Sequence, residues 1–243
     1  MHHQLETILI QRLPLEVEIS RVLTSQGVPF DAQSRLDERI VEVHRQVVRE
    51  VLARAKARAS ASLLPVRIID GMVLAAGRSF RASEVVREGL ARVDEACFLV
   101  CTLGREVDTH IASLISRRET SRAWTAETAA SYALLGACTA ATKRLAARFR
   151  WRGRVAVVAP GEDGWDLQEQ AEIVTLAGGE AIHVEVAAAG VLRPSKSVTA
   201  VLFQPIGSLA SCGNSRCSRC GRREQCSFRF SDNQPDMVPG EHG

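Results

Sequence analysis

The chain has 243 residues, a mass of 26.5 kDa and a formal net charge of +3. Its length suits one large folded domain or two smaller lobes, and its content of hydrophobic (46%) and charged (24%) residues is that of a globular protein. The small net charge and the low aromatic content (5%) argue against nucleic acid as a partner, because such binding needs phosphate-neutralising patches and stacking side chains. We find no membrane-spanning stretch and no signal segment, and we therefore expect a cytoplasmic protein without a membrane partner.

The first quarter of the chain has a helical pattern. Pro14 lies near the first position of a short helix that Gly27 is placed to end. Residues 32–61 are expected to form a long helix that stops before Pro65, because apolar side chains recur there at steps of three and four residues. The expected apolar face consists of Leu36, Ile40, Val43, Val47 and Val51.

Strand signals follow. Residues 66–76 predict two short strands joined by a turn at Asp70–Gly71. Ser83 can cap a helix that runs to about Val93, and residues 96–101 form an apolar run of strand length.

The second half mixes helices and strands, which predicts an α+β fold. Its expected elements are helices over 104–117 and 120–149, a buried strand over 155–158, a Pro–Gly turn at 160–161, a helix capped by Asp166, and strands over 182–187 and 197–204.

A cysteine cluster near the C-terminus is the most specific chemical feature. Its spacing is C-x4-C-x2-C-x5-C, formed by Cys212, Cys217, Cys220 and Cys226. Four thiolates can complete a tetrahedral metal site, so we predict an iron–sulfur cluster or zinc here. The spacing matches neither the paired C-x2-C knuckles of zinc sites nor the full ferredoxin pattern, so the metal, and whether one binds at all, stays open. The other three cysteines, Cys97, Cys101 and Cys138, lie in apolar segments and are expected to be buried.

A second candidate is the loop over residues 159–167. Its glycines allow a ligand to approach the backbone, and it leads into a helix N-terminus that favours an anion, while Trp165 can cover a ligand group. The alternative is an ordinary strand–turn–helix connection. The basic turn over residues 193–197 is a third candidate, with a solvated surface turn as its alternative.

These segments resemble the activation domain of cobalamin-dependent methionine synthase, and more closely its free-standing bacterial homologues, from about Leu13 to Arg229. Residues 159–170, A-P-G-E-D-G-W-D-L-Q-E-Q, match the S-P-G-Y-G-D-W-x-L-x-x-Q segment of that family. Residues 194–199, P-S-K-S-V-T, match its P-x-K-S-V-S segment, and residues 102–108 resemble its strand-to-helix step. The homologues often end in a cysteine-rich segment that finishes C-P-Y-R, matched here by residues 226–229, C-S-F-R.

The resemblance implies a C-shaped α+β domain with a helical N-terminal half and a bent, largely antiparallel sheet. It implies S-adenosylmethionine as methyl donor, cobalamin on a corrinoid-carrying protein or methionine synthase core, and a flavodoxin- or ferredoxin-like electron donor. We expect this domain over residues 1–210, the metal loop over 211–230 and a disordered tail over 231–243. The resemblance implies that the following residues bind the cofactor: Pro160, Gly161, Glu162, Asp163, Trp165, Lys196 and Ser197.

The chain also departs from the family pattern. Glu162 replaces a tyrosine, Val157 an arginine, residues 186–189 an L-T-E-S segment, and residues 135–138 an acidic position. Either the site is rebuilt around Glu162 and Asp163, or this homologue no longer binds the nucleotide. Two functions follow: an accessory protein for reductive reactivation of a corrinoid protein, or a non-catalytic metal-binding module that docks a corrinoid or electron-transfer partner.

Overall fold

An antiparallel sheet of seven strands forms the centre of the described structure. The computed structural model describes residues 6–28, 38–162 and 164–204. The strand order is β4-β3-β2-β5-β9-β6, with β1 also paired to β2 and with β7 and β8 forming a separate two-stranded sheet. The strands are β1 (Ile8–Ile10), β2 (Arg58–Ile69), β3 (Met72–Ala75), β4 (Arg78–Arg81), β5 (Glu95–Thr102), β6 (Ala156–Val158), β7 (Glu185–Val186), β8 (Leu192–Arg193) and β9 (Ser197–Phe203).

Helices cover both faces of this sheet. Within the described ranges they are α1 (Ile19–Ser25), α2 (Glu38–Arg54), α3 (Glu84–Leu90), α4 (Arg105–Ser116), α5 (Thr120–Arg148) and α6 (Gln170–Leu176). None of these described helices combines the length and the apolar character that crossing a bilayer requires.

Successive side chains of β5 point to opposite faces of the sheet and so belong to two separate hydrophobic clusters. Cys97, Leu99 and Cys101 face one cluster, which is completed by α1, α2, α4 and α5, whereas Phe98 and Val100 face the other, completed by α3 and α6. Both sides of β5 are buried, which explains its continuous apolar run. The buried alanines of α5 let that helix lie close against the sheet. The predicted α+β class and the antiparallel sheet are confirmed.

The helix predicted over residues 32–61 was too long. It ends at Arg54 as α2, and residues 58–61 already belong to β2. The expected apolar face was also partly wrong, because Ile40 and Val43 are about half exposed. The helix instead buries Val41, His44, Val47, Val48 and Val51.

Pro65 does not break the pattern but lies within β2, opposite Glu95 of β5. The N–H of Val66 points toward the β5 side, where it donates to the carbonyl of Asp94 at 2.9 Å. The nitrogen of Pro65 therefore points to the other edge of β2, between the residues paired with β1 and those paired with β3. No described strand needs a donor there, so proline is tolerated.

Several other boundaries differ from the predicted ones. The hairpin turn at Asp70–Gly71 is confirmed. The first helix begins at Ile19 rather than beside Pro14. The strand predicted over 182–187 is only the two-residue β7, because residues 179–182 form a 3-10 turn. The strands β1 and β4 were missed because each has only three or four residues.

Candidate functional site

Three of the four segments that carry the family resemblance, residues 102–108, 159–170 and 194–199, meet at one edge of the sheet. β5 and β6 both run antiparallel to β9, with Thr102 opposite Ser197 and Val158 opposite Val201. The C-terminal ends of β5 and β6 therefore lie at the edge where β9 begins. Residues 194–199 occupy the centre of this edge, between the other two segments.

Asp108 of α4 binds the turn that precedes β9. Its carboxylate accepts hydrogen bonds from the backbone N–H of Ser195 at 2.5 Å and from the Ser195 hydroxyl at 2.9 Å. It also accepts one from the N–H of Lys196 at 3.3 Å. One carboxylate thus organises a turn 87 residues away in the chain.

Hydroxyl groups continue this connection into the sheet. Ser197 donates from its hydroxyl to the hydroxyl of Thr102 at 2.8 Å, and the Thr102 oxygen accepts from the N–H of Gly104 at 3.1 Å. The N–H of Leu103 donates to the carbonyl of Lys196 at 2.9 Å. Ser197 is therefore joined to the strand-to-helix step, and the predicted site residue contributes to the structure of that step.

Lys196 extends its side chain toward α5. Its ammonium group forms an ion pair with Glu127 and lies 3.4 Å from the Ser131 hydroxyl. Only 14% of the Lys196 side chain is exposed, so this cation is largely enclosed. The family pattern has an acidic position that aligns with residues 135–138 of this helix, where this chain has no acidic residue. Glu127 nevertheless supplies a carboxylate about two turns earlier.

The loop after β6 closes on itself through its backbone. The N–H of Gly161 donates to the carbonyl of Trp165 at 2.8 Å. The N–H of Trp165 donates to the carbonyl of Glu162, also at 2.8 Å. Gly161 has a φ of +89°, and a Cβ there would lie 3.1 Å from Leu167. Glycine is required because L side chains rarely adopt this backbone conformation. Pro160 is buried, whereas Gly161 is exposed.

Trp165, which the sequence analysis placed among the cofactor-binding residues, lies in the core beneath the loop. It is 3% exposed and stacks on Phe80, with ring centroids 5.9 Å apart. Its indole N–H donates to the carbonyl of Arg81 at 2.7 Å. The ring therefore supports the loop from inside the core.

Gln170 links this loop segment to β9. Its side-chain oxygen accepts from the Thr199 hydroxyl at 3.0 Å, and its nitrogen donates to the carbonyl of Gly190 at 2.6 Å. Both donor and acceptor of this buried amide are thus paired. Asp166 caps the 3-10 turn over residues 167–169 by accepting from the N–H of Gln168, and α6 follows directly.

The described structure brings together Pro160, Gly161 and Glu162 in one loop and Lys196 and Ser197 in the adjoining turn. Asp163 and the four clustered cysteines, Cys212, Cys217, Cys220 and Cys226, lie outside the described residues. The metal site stays a prediction. Among residues 6–28, 38–162 and 164–204, no three His, Cys, Asp or Glu side chains group as ligands.

Sequence reasoning missed the residues that hold the edge together. Asp108, Glu127 and Gln170 pair with residues 29 to 88 positions away, and no local spacing reveals such pairs. Asp108 and Gln170 do lie inside the segments matched to the family, and this match was the sequence signal that could have identified them.

No protein-family model matches this sequence, and neither does any curated protein. Among solved structures, the fold is similar to the crystal structure of the MetH reactivation domain bound to AdoHcy. The TM-score is 0.58 and the sequences are 12% identical, over 85% of this chain and 81% of that chain. At this identity the likeness shows a shared fold that extends over most of both chains.

Proposed function

We propose that this protein binds S-adenosylmethionine and assists the reactivation of a corrinoid protein. The observation that carries the proposal is the convergence of residues 102–108, 159–170 and 194–199 at one edge of the sheet. Hydrogen bonds accepted by Asp108, Thr102 and Gln170 from residues 195, 197 and 199 join all three segments. The similar solved domain was crystallised with AdoHcy, the demethylated form of that methyl donor, which supports the same ligand class.

The ligand would lie against the exposed backbone of the loop after β6 and the turn before β9. Its binding residues would be Pro160, Gly161, Glu162, Asp163, Lys196 and Ser197. The backbone at Gly161 is open to solvent, and carboxylates at residues 162 and 163 suit the cationic sulfonium and amine groups of the ligand.

The cysteines at 212, 217, 220 and 226 would hold an iron–sulfur cluster or zinc. A cluster would let the protein pass an electron from a flavodoxin- or ferredoxin-like donor to the corrinoid, whereas zinc would only shape the segment. Elemental analysis of anaerobically purified protein separates the two, because each metal is measured directly.

Calorimetry tests the nucleotide site. We expect heat on titration with S-adenosylmethionine or S-adenosylhomocysteine, and weaker binding in Ser197→Ala. Lys143→Ala is a control, because residue 143 lies on α5 about 18 Å along the axis from Ser131. Absence of heat at millimolar ligand would remove the nucleotide from the proposal. Failure to support cob(II)alamin reduction on a corrinoid partner would remove the reactivating role.

A non-catalytic docking module is the second candidate. The observation that favours it is that polar groups at the sheet edge already pair with one another, as Lys196 does with Glu127 and Asp108 with Ser195. Stoichiometric zinc, no redox activity and tight binding to a corrinoid protein would support this alternative.

A further inference from the structure

A charged cavity of about 780 Å³ lies beside α4, the helix that also carries Asp108. Its walls come from the end of α2, from α4 and from the beginning of α5. On α4, Asp108 faces the sheet edge, whereas His110, two residues later, lines this cavity. Residues two positions apart leave a helix on nearly opposite sides, so His110 points away from the sheet edge, whereas Arg105 joins the cavity from the first residue of α4. The volume is in the range of small-molecule sites.

Positive charge dominates the lining. Four arginines, Arg54, Arg105, Arg117 and Arg122, line the cavity against two glutamates, Glu50 and Glu106. Both carboxylates are already engaged, since Glu106 pairs with Lys56 and Glu50 accepts from Arg122 at 2.9 Å.

Within the residues that the structure describes, three of the guanidinium groups have no carboxylate partner. Arg54 donates to the backbone carbonyl of Glu50 at 2.7 Å. For Arg105 and Arg117, no described carboxylate lies within ion-pair distance, and both are exposed to the cavity side. Like charges that line one cavity repel each other, so an anion bound among them would be stabilised.

His110 forms the inner part of the cavity. Its side chain is only 10% exposed, and its Nε2 is buried without a hydrogen bond, 3.4 Å from a Glu50 oxygen. A buried ring nitrogen without a partner is uncommon in folded proteins. Burial lowers the pKa of His110, and the positive charges of Arg54, Arg122 and Arg117 lower it further against the opposing effect of Glu50.

We propose that this cavity binds the phosphate group of a small anionic ligand. Arg54, Arg105 and Arg117 would take the phosphate oxygens, and His110, whose buried Nε2 lies 3.4 Å from Glu50, would sense the bound charge from within the cavity wall. Guanidinium groups match phosphate geometry with paired N–H donors, and three of them suit a multiply charged anion better than a single carboxylate. This proposal does not depend on the proposed nucleotide site at the sheet edge.

Titration of the full chain with inorganic phosphate and with pyrophosphate tests the proposal. Calorimetry measures affinity, and NMR of the His110 ring follows its pKa with and without the anion. We expect binding of pyrophosphate and an upward shift of the His110 pKa, because the bound charge favours the imidazolium. The ring readout separates this cavity from the arginines of the C-terminal cysteine segment.

Single substitutions then locate the site. Arg117→Ala and Arg105→Ala are expected to weaken pyrophosphate binding about tenfold each. Arg92→Ala removes the same charge from an exposed position outside the cavity and is expected to change nothing. The proposal is overturned if millimolar pyrophosphate leaves the His110 resonance unmoved, or if Arg92→Ala weakens binding as much as Arg117→Ala.

Discussion

The carboxylate of Asp108 accepts both the backbone N–H and the hydroxyl of Ser195, and so ties α4 to the turn that begins β9. Asp108→Ala is expected to lower the free energy of unfolding by about 1–2 kcal/mol, because charged hydrogen bonds to a partly exposed turn are lost. Urea denaturation measures the change. Glu88→Ala removes an exposed carboxylate from α3 and should leave the midpoint unchanged. Equal effects of the two changes would contradict a specific role for Asp108.

Alanine substitutions at two glycines with similar backbone angles distinguish the cost of backbone strain from the cost of steric crowding. Gly190 has a φ of +75°, and a Cβ there would lie 2.8 Å from the carbonyl oxygen of Leu167. Gly153 has a φ of +80° and nothing within 4 Å. Gly153→Ala should cost about 1–2 kcal/mol from the backbone alone. Gly190→Ala should cost about 1–3 kcal/mol more, from overpacking. Similar thermal midpoints for the two variants would disprove the close approach.

The buried indole of Trp165 is expected to be a stability determinant. Trp165→Phe keeps a ring against Phe80 but removes the donor to Arg81, so we expect a loss of about 1–3 kcal/mol. Trp124→Phe is the matched control, because Trp124 is 56% exposed and its replacement should change stability by less than about 0.5 kcal/mol. Chemical denaturation of both variants measures this difference. A larger loss of stability in Trp124→Phe than in Trp165→Phe would contradict the burial of Trp165.

Stability should fall as the pH is lowered through the range of histidine titration. The pKa of His110 is lowered in the folded protein, by burial first and then by Arg54. Below the ordinary histidine pKa of 6.5, the unfolded chain therefore binds the proton more readily, and the free energy of unfolding decreases until the folded pKa is passed.

His110→Gln should reduce this pH dependence, measured by urea titrations between neutral and mildly acid pH. A steeper dependence in His110→Gln would contradict the assignment.

The buried cysteines are expected to be inert. Burial raises the pKa of Cys97 to about 12 and that of Cys101 well above its ordinary value, so neither forms a thiolate at neutral pH. In a variant with serine at positions 212, 217, 220 and 226, Ellman's reagent should react slowly until denaturant is added. It should then detect three thiols, from Cys97, Cys101 and Cys138. Fast labelling of the folded variant would show that the core admits reagent.

Long periodic elements and the β5 strand could be predicted from the sequence because their signals are local. Helices α4 and α5 match the predicted ranges closely, and the hairpin at Asp70–Gly71 turns where expected. The boundary between α2 and β2 could not be predicted, since residues 59–61 (Ala, Ser, Ala) are small and suit either element. Pairing with β1 and β5 decides for the strand.

The sequence by itself determined the α+β class, the burial of Cys97, Cys101 and Cys138, and the segments that carry the family resemblance. Only the tertiary structure decided that these segments share one edge, because antiparallel pairing of β5 and β6 with β9 brings together residues far apart in the chain. It also decided that the ring of Trp165 packs in the core, because its partners Phe80 and Arg81 belong to a strand more than 80 residues earlier.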